Sequence, residues 1–94
     1  MSDKPVYVVE FEKLVKDVSM VQTFDTDALA MRIEHILSMM PEHMRENVIV
    51  SVQPKGVRVV KYKDIPRVLK TDDEFRIQFI NGLRLYARFI GAAP

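Results

Sequence analysis

Two histidines, each preceded by a glutamate, are the residues of this chain best suited to moving a proton or holding a metal: Glu34-His35 and Glu42-His43. Two imidazoles at i, i+4 on one helix would converge on a single ion. Here they stand eight residues apart with Pro41 between them, which matches no metal-binding spacing. His35 also falls on the polar side of the helix expected around it, where a solvated imidazole is the ordinary explanation. Glu10 and Glu12, if on a strand, would project from one face about 6–7 Å apart. That separation suits paired-carboxylate chemistry, but two exposed strand glutamates ordinarily serve solvation.

The remaining nucleophiles and phosphate binders are sparse. Ser2, Ser19, Ser38 and Ser51 lie in no nucleophile elbow. Gly56, Gly82 and Gly91 are the only glycines, too scattered for a phosphate-cradling loop. There is no cysteine, which removes disulfides, thiolate metal sites and thiol nucleophiles together and favours a reducing, cytoplasmic setting. One small core would also have difficulty housing a pocket of the usual few hundred Å³. The residues thus predict no enzyme, no cofactor, no metal and no small-molecule substrate.

At 94 residues the chain has room for one domain, 1–94, with loose tails expected at 1–4 and 91–94. Its composition, 48% hydrophobic and 29% charged, is that of an ordinary globule. Apolar runs never exceed four residues, far from the ~20 that span a bilayer, and Met1-Ser2-Asp3-Lys4-Pro5 has no signal-peptide character.

Val6-Tyr7-Val8-Val9-Glu10-Phe11-Glu12 is β-branched and aromatic and reads as a strand burying Tyr7, Val9 and Phe11. Phe11, Leu14, Val15 and Val18 also fit a helical spacing, but a second strand over Val18–Phe24 is the preferred reading. The clearest element is a helix over 26–40. Asp25 or Thr26 can cap it, Leu29, Ile33, Ile36, Leu37 and Met40 form one stripe, and Pro41 stops it. A hairpin follows, with Val48, Val50 and Val52 alternating before the Gln53-Pro54-Lys55-Gly56 turn. Val57–Lys63 returns, with Pro66 as the interruption.

The last third supports two readings. Thr71-Asp72-Asp73-Glu74 has the spacing of a helix capping box, but a helix would leave Ile77, Leu85 and Phe89 in water. As strands, the segment carries Asn81-Gly82, a strong hairpin signal. A three-residue loop, Ile80-Asn81-Gly82, pairs Phe79 with Leu83 and Ile77 with Leu85. One face is then wholly apolar, and the other carries Arg76, Gln78, Arg84, Tyr86 and Arg88. The hairpin is preferred. The expected fold is therefore a small α+β domain: an antiparallel sheet of four or five strands, one main helix on one face, and a closing hairpin.

The formal charge of +1 conceals an asymmetry. Residues 1–46 hold five Lys/Arg and nine Asp/Glu, and residues 47–94 hold nine and four, giving −4 and +5. Two kinds of partner follow. A second copy or another protein would use the outer helix face and its end, through Met31, Glu34, His35, Met39 and Met44, together with an open sheet edge. Nucleic acid is the alternative, bound through Arg76, Arg84, Tyr86 and Arg88 on the basic outer face of the C-terminal hairpin, extended by Arg58, Lys61 and Lys63 from the neighbouring hairpin. A non-enzymatic protein that binds or regulates through protein–protein contact is the leading expectation.

Overall fold

Pro5 fixes its own φ at −56° and has no N–H to satisfy, so it opens a helix without loss. That helix, α1, runs Val6–Ser19, where a strand was expected. Tyr7, Phe11, Leu14, Val15 and Val18 recur at i, i+4, i+7, i+8 and i+11, and all five pack into or against the core. Valine costs a helix at most ~0.7 kcal/mol relative to alanine, less than burying one such side chain stabilises, roughly 1.5–3 kcal/mol. The long period therefore overrides the β-branched composition. Val18–Phe24 is not a second strand either: it closes α1 and forms the loop to the next helix.

The computed structural model describes residues 3–92, and in them there are four α-helices and a sheet of only two strands. The four- or five-strand sheet with one main helix is thereby overturned. Helix α2, Thr26–Met39, matches the expected element; the Asp25 carboxylate accepts from the Ala28 N–H at 2.9 Å, and Met40 turns extended ahead of Pro41. A 3-10 turn, Glu42–Glu46, leads into β1 (Val48–Gln53) and β2 (Gly56–Lys61). The strands are antiparallel, with Gln53 opposite Gly56, Val52 opposite Val57 and Val50 opposite Val59. Gly56 has φ of +137°, which the tight Pro54-Lys55 loop requires of it.

Pro66 does not merely interrupt the return strand. It lies in the first turn of α3, Ile65–Thr71, which follows a short 3-10 turn at Tyr62–Asp64. The expected closing hairpin is helix α4, Asp73–Phe89, with Asn81 and Gly82 in its middle. Its cap is Asp72, whose Oδ1 accepts from the Phe75 N–H at 3.0 Å. Thr71 instead belongs to the end of α3, donating to the Arg67 carbonyl at 3.1 Å. The objection to a helix was that it would expose Ile77, Leu85 and Phe89, and it does, at 55, 67 and 86%.

The core lies between the helices: Leu14, Val15 and Val18 from α1, Leu29 from α2, Val68 and Leu69 from α3, Phe75 and Leu83 from α4. The hairpin contributes only Val60 and the half-buried Ile49. Residues 1–2 and 93–94, part of the expected loose tails, lie outside the described residues. Of the inner tail positions, Lys4 pairs with Glu12 at 2.9 Å, and Ala92 donates its N–H to the Ala87 carbonyl at 2.8 Å.

Candidate interaction surfaces

A two-stranded sheet has two faces and one supporting layer of helices. Alternation along β1 and β2 puts Val48, Val50, Val52, Val57 and Val59 on one face and Ile49, Ser51, Gln53, Arg58 and Val60 on the other. Hydrophobicity alone would turn the valines inward. The structure does the reverse: the valines are 48, 56, 70, 65 and 59% exposed, while Ser51 and Val60 are buried.

Polar contacts add to Ile49 and Val60 on the inward face. The Ser51 hydroxyl donates to Gln78 Oε1, and Gln78 Nε2 donates to the Val52 carbonyl at 2.7 Å. Gln53 Nε2 reaches Asp72 Oδ2 at 3.2 Å, and Arg58 Nη1 lies 3.4 Å from the same oxygen. The hairpin is thus latched to the start of α4 by side chains that the sequence reading would have left in water. The Asp72 carboxyl is held below its ordinary pKa, first by the Phe75 N–H and then by the Gln53 amide, with Arg58 adding to them and partial burial opposing. No local signal announces this arrangement, because each of these residues is individually typical of a solvated strand face.

The basic residues proposed for nucleic acid are not gathered on a sheet. Arg58 lies against Asp72, while Lys61 and Lys63 both hold Glu46, at 3.0 and 3.1 Å. Those two ammonium groups, Lys61 foremost, lower the Glu46 pKa, and Glu46 in turn raises that of Lys63. On α4, Arg76 pairs with Asp73 at 2.9 Å, and Arg84 Nη2 donates to the Val21 and Gln22 carbonyls at 3.0 and 2.7 Å, fastening the α1–α2 loop. Tyr86 stacks with Phe89 and meets Phe11 of α1, so it is part of an aromatic cluster. Arg88 sits exposed in the last turn of α4.

Of the helix residues proposed for a protein interface, Met31, Glu34 and His35 are exposed along α2, and Met39 is half-buried at its end. Met44 turns inward from the 3-10 turn and accepts a hydrogen bond from the Tyr7 hydroxyl at 3.4 Å. Glu10 and Glu12 share no strand face. They lie on α1, paired with Lys13 and Lys4 respectively.

Against the expectation that so small a core would have difficulty housing a pocket, a cavity of about 330 Å³ opens beside Tyr7, Phe11, Ile36, Met40, Met44 and Tyr62. Among the described residues no group of three or more His, Cys, Asp or Glu could hold a metal ion, and no helix is long and apolar enough to cross a membrane. No protein-family model matches this chain, and no curated protein or solved structure matches it either.

Proposed function

We propose that this chain is a non-enzymatic protein-interaction module that pairs with a second copy of itself through the outer face of the β1–β2 hairpin. The observation that carries the reading is the row of five exposed valines. Together they leave the equivalent of about three whole valine residues in water, on the face of the sheet turned away from α4. Contiguous apolar surface of this kind on a small domain marks a contact site.

A second copy suits the face for two reasons. An apolar row of one residue type is complementary to itself under a two-fold rotation, as an isologous interface requires. Lys61 is the only charged residue on the outward register, at one end of it, and it is already held by Glu46. Three valines, each smaller than the ~150–250 Å² of an aromatic residue, fall short of the ~800 Å² per partner of a standard interface. A face of this size fits a weak pairing that dissociates on dilution. The absence of cysteine supports a cytoplasmic setting for this module. Nucleic acid has less support, since Arg58, Lys61, Lys63, Arg76 and Arg84 already direct donors within the chain.

The test is light scattering between about 5 and 500 µM. The mass should rise toward twice the 10.9 kDa of one chain. Val52→Lys with Val59→Lys, on different cross-strand pairs of the outer face so that the two charges do not face each other, should hold the chain monomeric while shifting stability by only about ±0.5 kcal/mol per site. A wild-type chain that stays monomeric throughout, or a double variant that still pairs, overturns the proposal.

A further inference from the structure

The cavity is a different feature from the hairpin face, and it is lined almost entirely by carbon. It is lined by Tyr7, Val8 and Phe11 of α1, by residues of α2 with Met40 at its end, and by Met44 and Tyr62 of the two 3-10 turns. Its 330 Å³ falls within the usual range of ligand pockets, roughly 300–1,000 Å³. It is about twice the size of an engineered apolar cavity of ~150 Å³ that takes benzene. Cores ordinarily close such space, because lost packing destabilises in proportion to the volume left empty.

The lining states what could fill it. Among the described residues no carboxylate, ammonium, guanidinium or imidazole borders the cavity. An ion entering it would lose its hydration with no opposite charge in return. Water entering from the open side finds few polar partners along these walls, where an ordered one needs two to four. The polar side-chain groups at the wall are the two phenols, and one of them is poorly served. The Tyr7 hydroxyl donates to the Met44 thioether at 3.4 Å, one of the weakest acceptors a protein offers. An oxygen acceptor would take that proton with gain. Met40 and Met44 are unbranched and can move aside without rearranging the backbone.

We infer that this cavity is a binding site for a small neutral apolar molecule carrying one oxygen acceptor, such as a ketone, ester or alcohol, with the Tyr7 hydroxyl as its hydrogen-bond donor. The site uses no residue of the valine face and stands independently of whether the chain pairs.

The experiment follows the methionine ε-methyl signals by NMR during titration with α-tetralone, with tetralin as the analogue lacking the oxygen and naphthoate as the anionic one. Tetralone should shift Met40 and Met44 saturably and leave the exposed Met20 and Met31 in place. Naphthoate should bind at least about ten-fold more weakly, as burial of an unpaired charge demands. Tyr7→Phe should weaken tetralone about two- to ten-fold, the range of one neutral hydrogen bond, and leave tetralin unchanged. Val8→Trp, which places an indole at the wall, should weaken both. Met40 and Met44 signals that do not move or do not saturate overturn the inference. So does naphthoate binding equal to tetralone, or a Tyr7→Phe effect that is absent or equal for tetralone and tetralin.

Discussion

Gln78 on α4 and Ser51 on β1, 27 residues apart in the chain, meet through the glutamine carbonyl and the serine hydroxyl, while the other end of the same amide takes the Val52 carbonyl. One side chain therefore satisfies a buried hydroxyl and a strand backbone group together. It acts on the same hairpin face as the buried Val60 and the half-buried Ile49.

Removing one partner should cost more than removing both. Gln78→Leu leaves the Ser51 hydroxyl, 4% exposed, without its acceptor, so a loss of about 1–3 kcal/mol is expected in urea unfolding. Ser51→Ala combined with Gln78→Leu should recover part of that loss, because neither residue then buries an unsatisfied group. A double variant as unstable as the sum of the single changes would show that the pair is not coupled.

Gly82 separates the helix from the hairpin reading of the last third. It sits inside α4 without a positive φ, and a Cβ added there meets nothing within 4 Å. Gly82→Ala should therefore stabilise the protein by about 0.4–1 kcal/mol. In a three-residue turn with Gly82 left-handed, the same change would be destabilising. A lowered thermal midpoint would contradict α4.

Asp72 should make the fold sensitive to acid. Its folded-state pKa lies below the ordinary carboxylate value, chiefly through the Phe75 N–H and then the Gln53 amide. A depressed pKa contributes stability that is fully present above the unfolded value, about 3.9, and is lost as pH falls through the lowered folded one. Asp72→Asn should lower stability at pH 7 and flatten its decline under acid. Glu46, also lowered, by Lys61 and Lys63, should leave part of that decline in place. Stability curves of equal slope for wild type and Asp72→Asn below about pH 5 would remove Asp72 from the acid response.

Some of this was legible in the residues alone. Helix α2 was, because a cap at Asp25, a five-residue stripe and a stop at Pro41 are all local features, and each acts within a turn of the chain. The β1–β2 turn was too, since Pro54 and Gly56 carry their backbone preferences with them. The stripe Tyr7, Phe11, Leu14, Val15 and Val18 was present as well, but over its first seven residues it also satisfies a strand, and only burial against α2 and α4 selects the helical period. Asn81-Gly82 is a strong turn signal in isolation, yet seventeen residues of α4 packed through Phe75, Leu83 and Ala87 outweigh a preference of about 1 kcal/mol.

The sequence by itself determined the absence of thiol chemistry, the position of α2 and the place of the tight turn. Those are properties of composition or of a few neighbouring residues. Tertiary structure alone decided which hairpin face is buried, where the basic residues find their partners, and that a cavity persists beside Tyr7. Each depends on groups brought together from distant parts of the chain, Ser51 with Gln78, Gln53 with Asp72, Tyr7 with Met44. Polar pairing and packing between them can reverse a face that hydrophobicity alone would assign the other way.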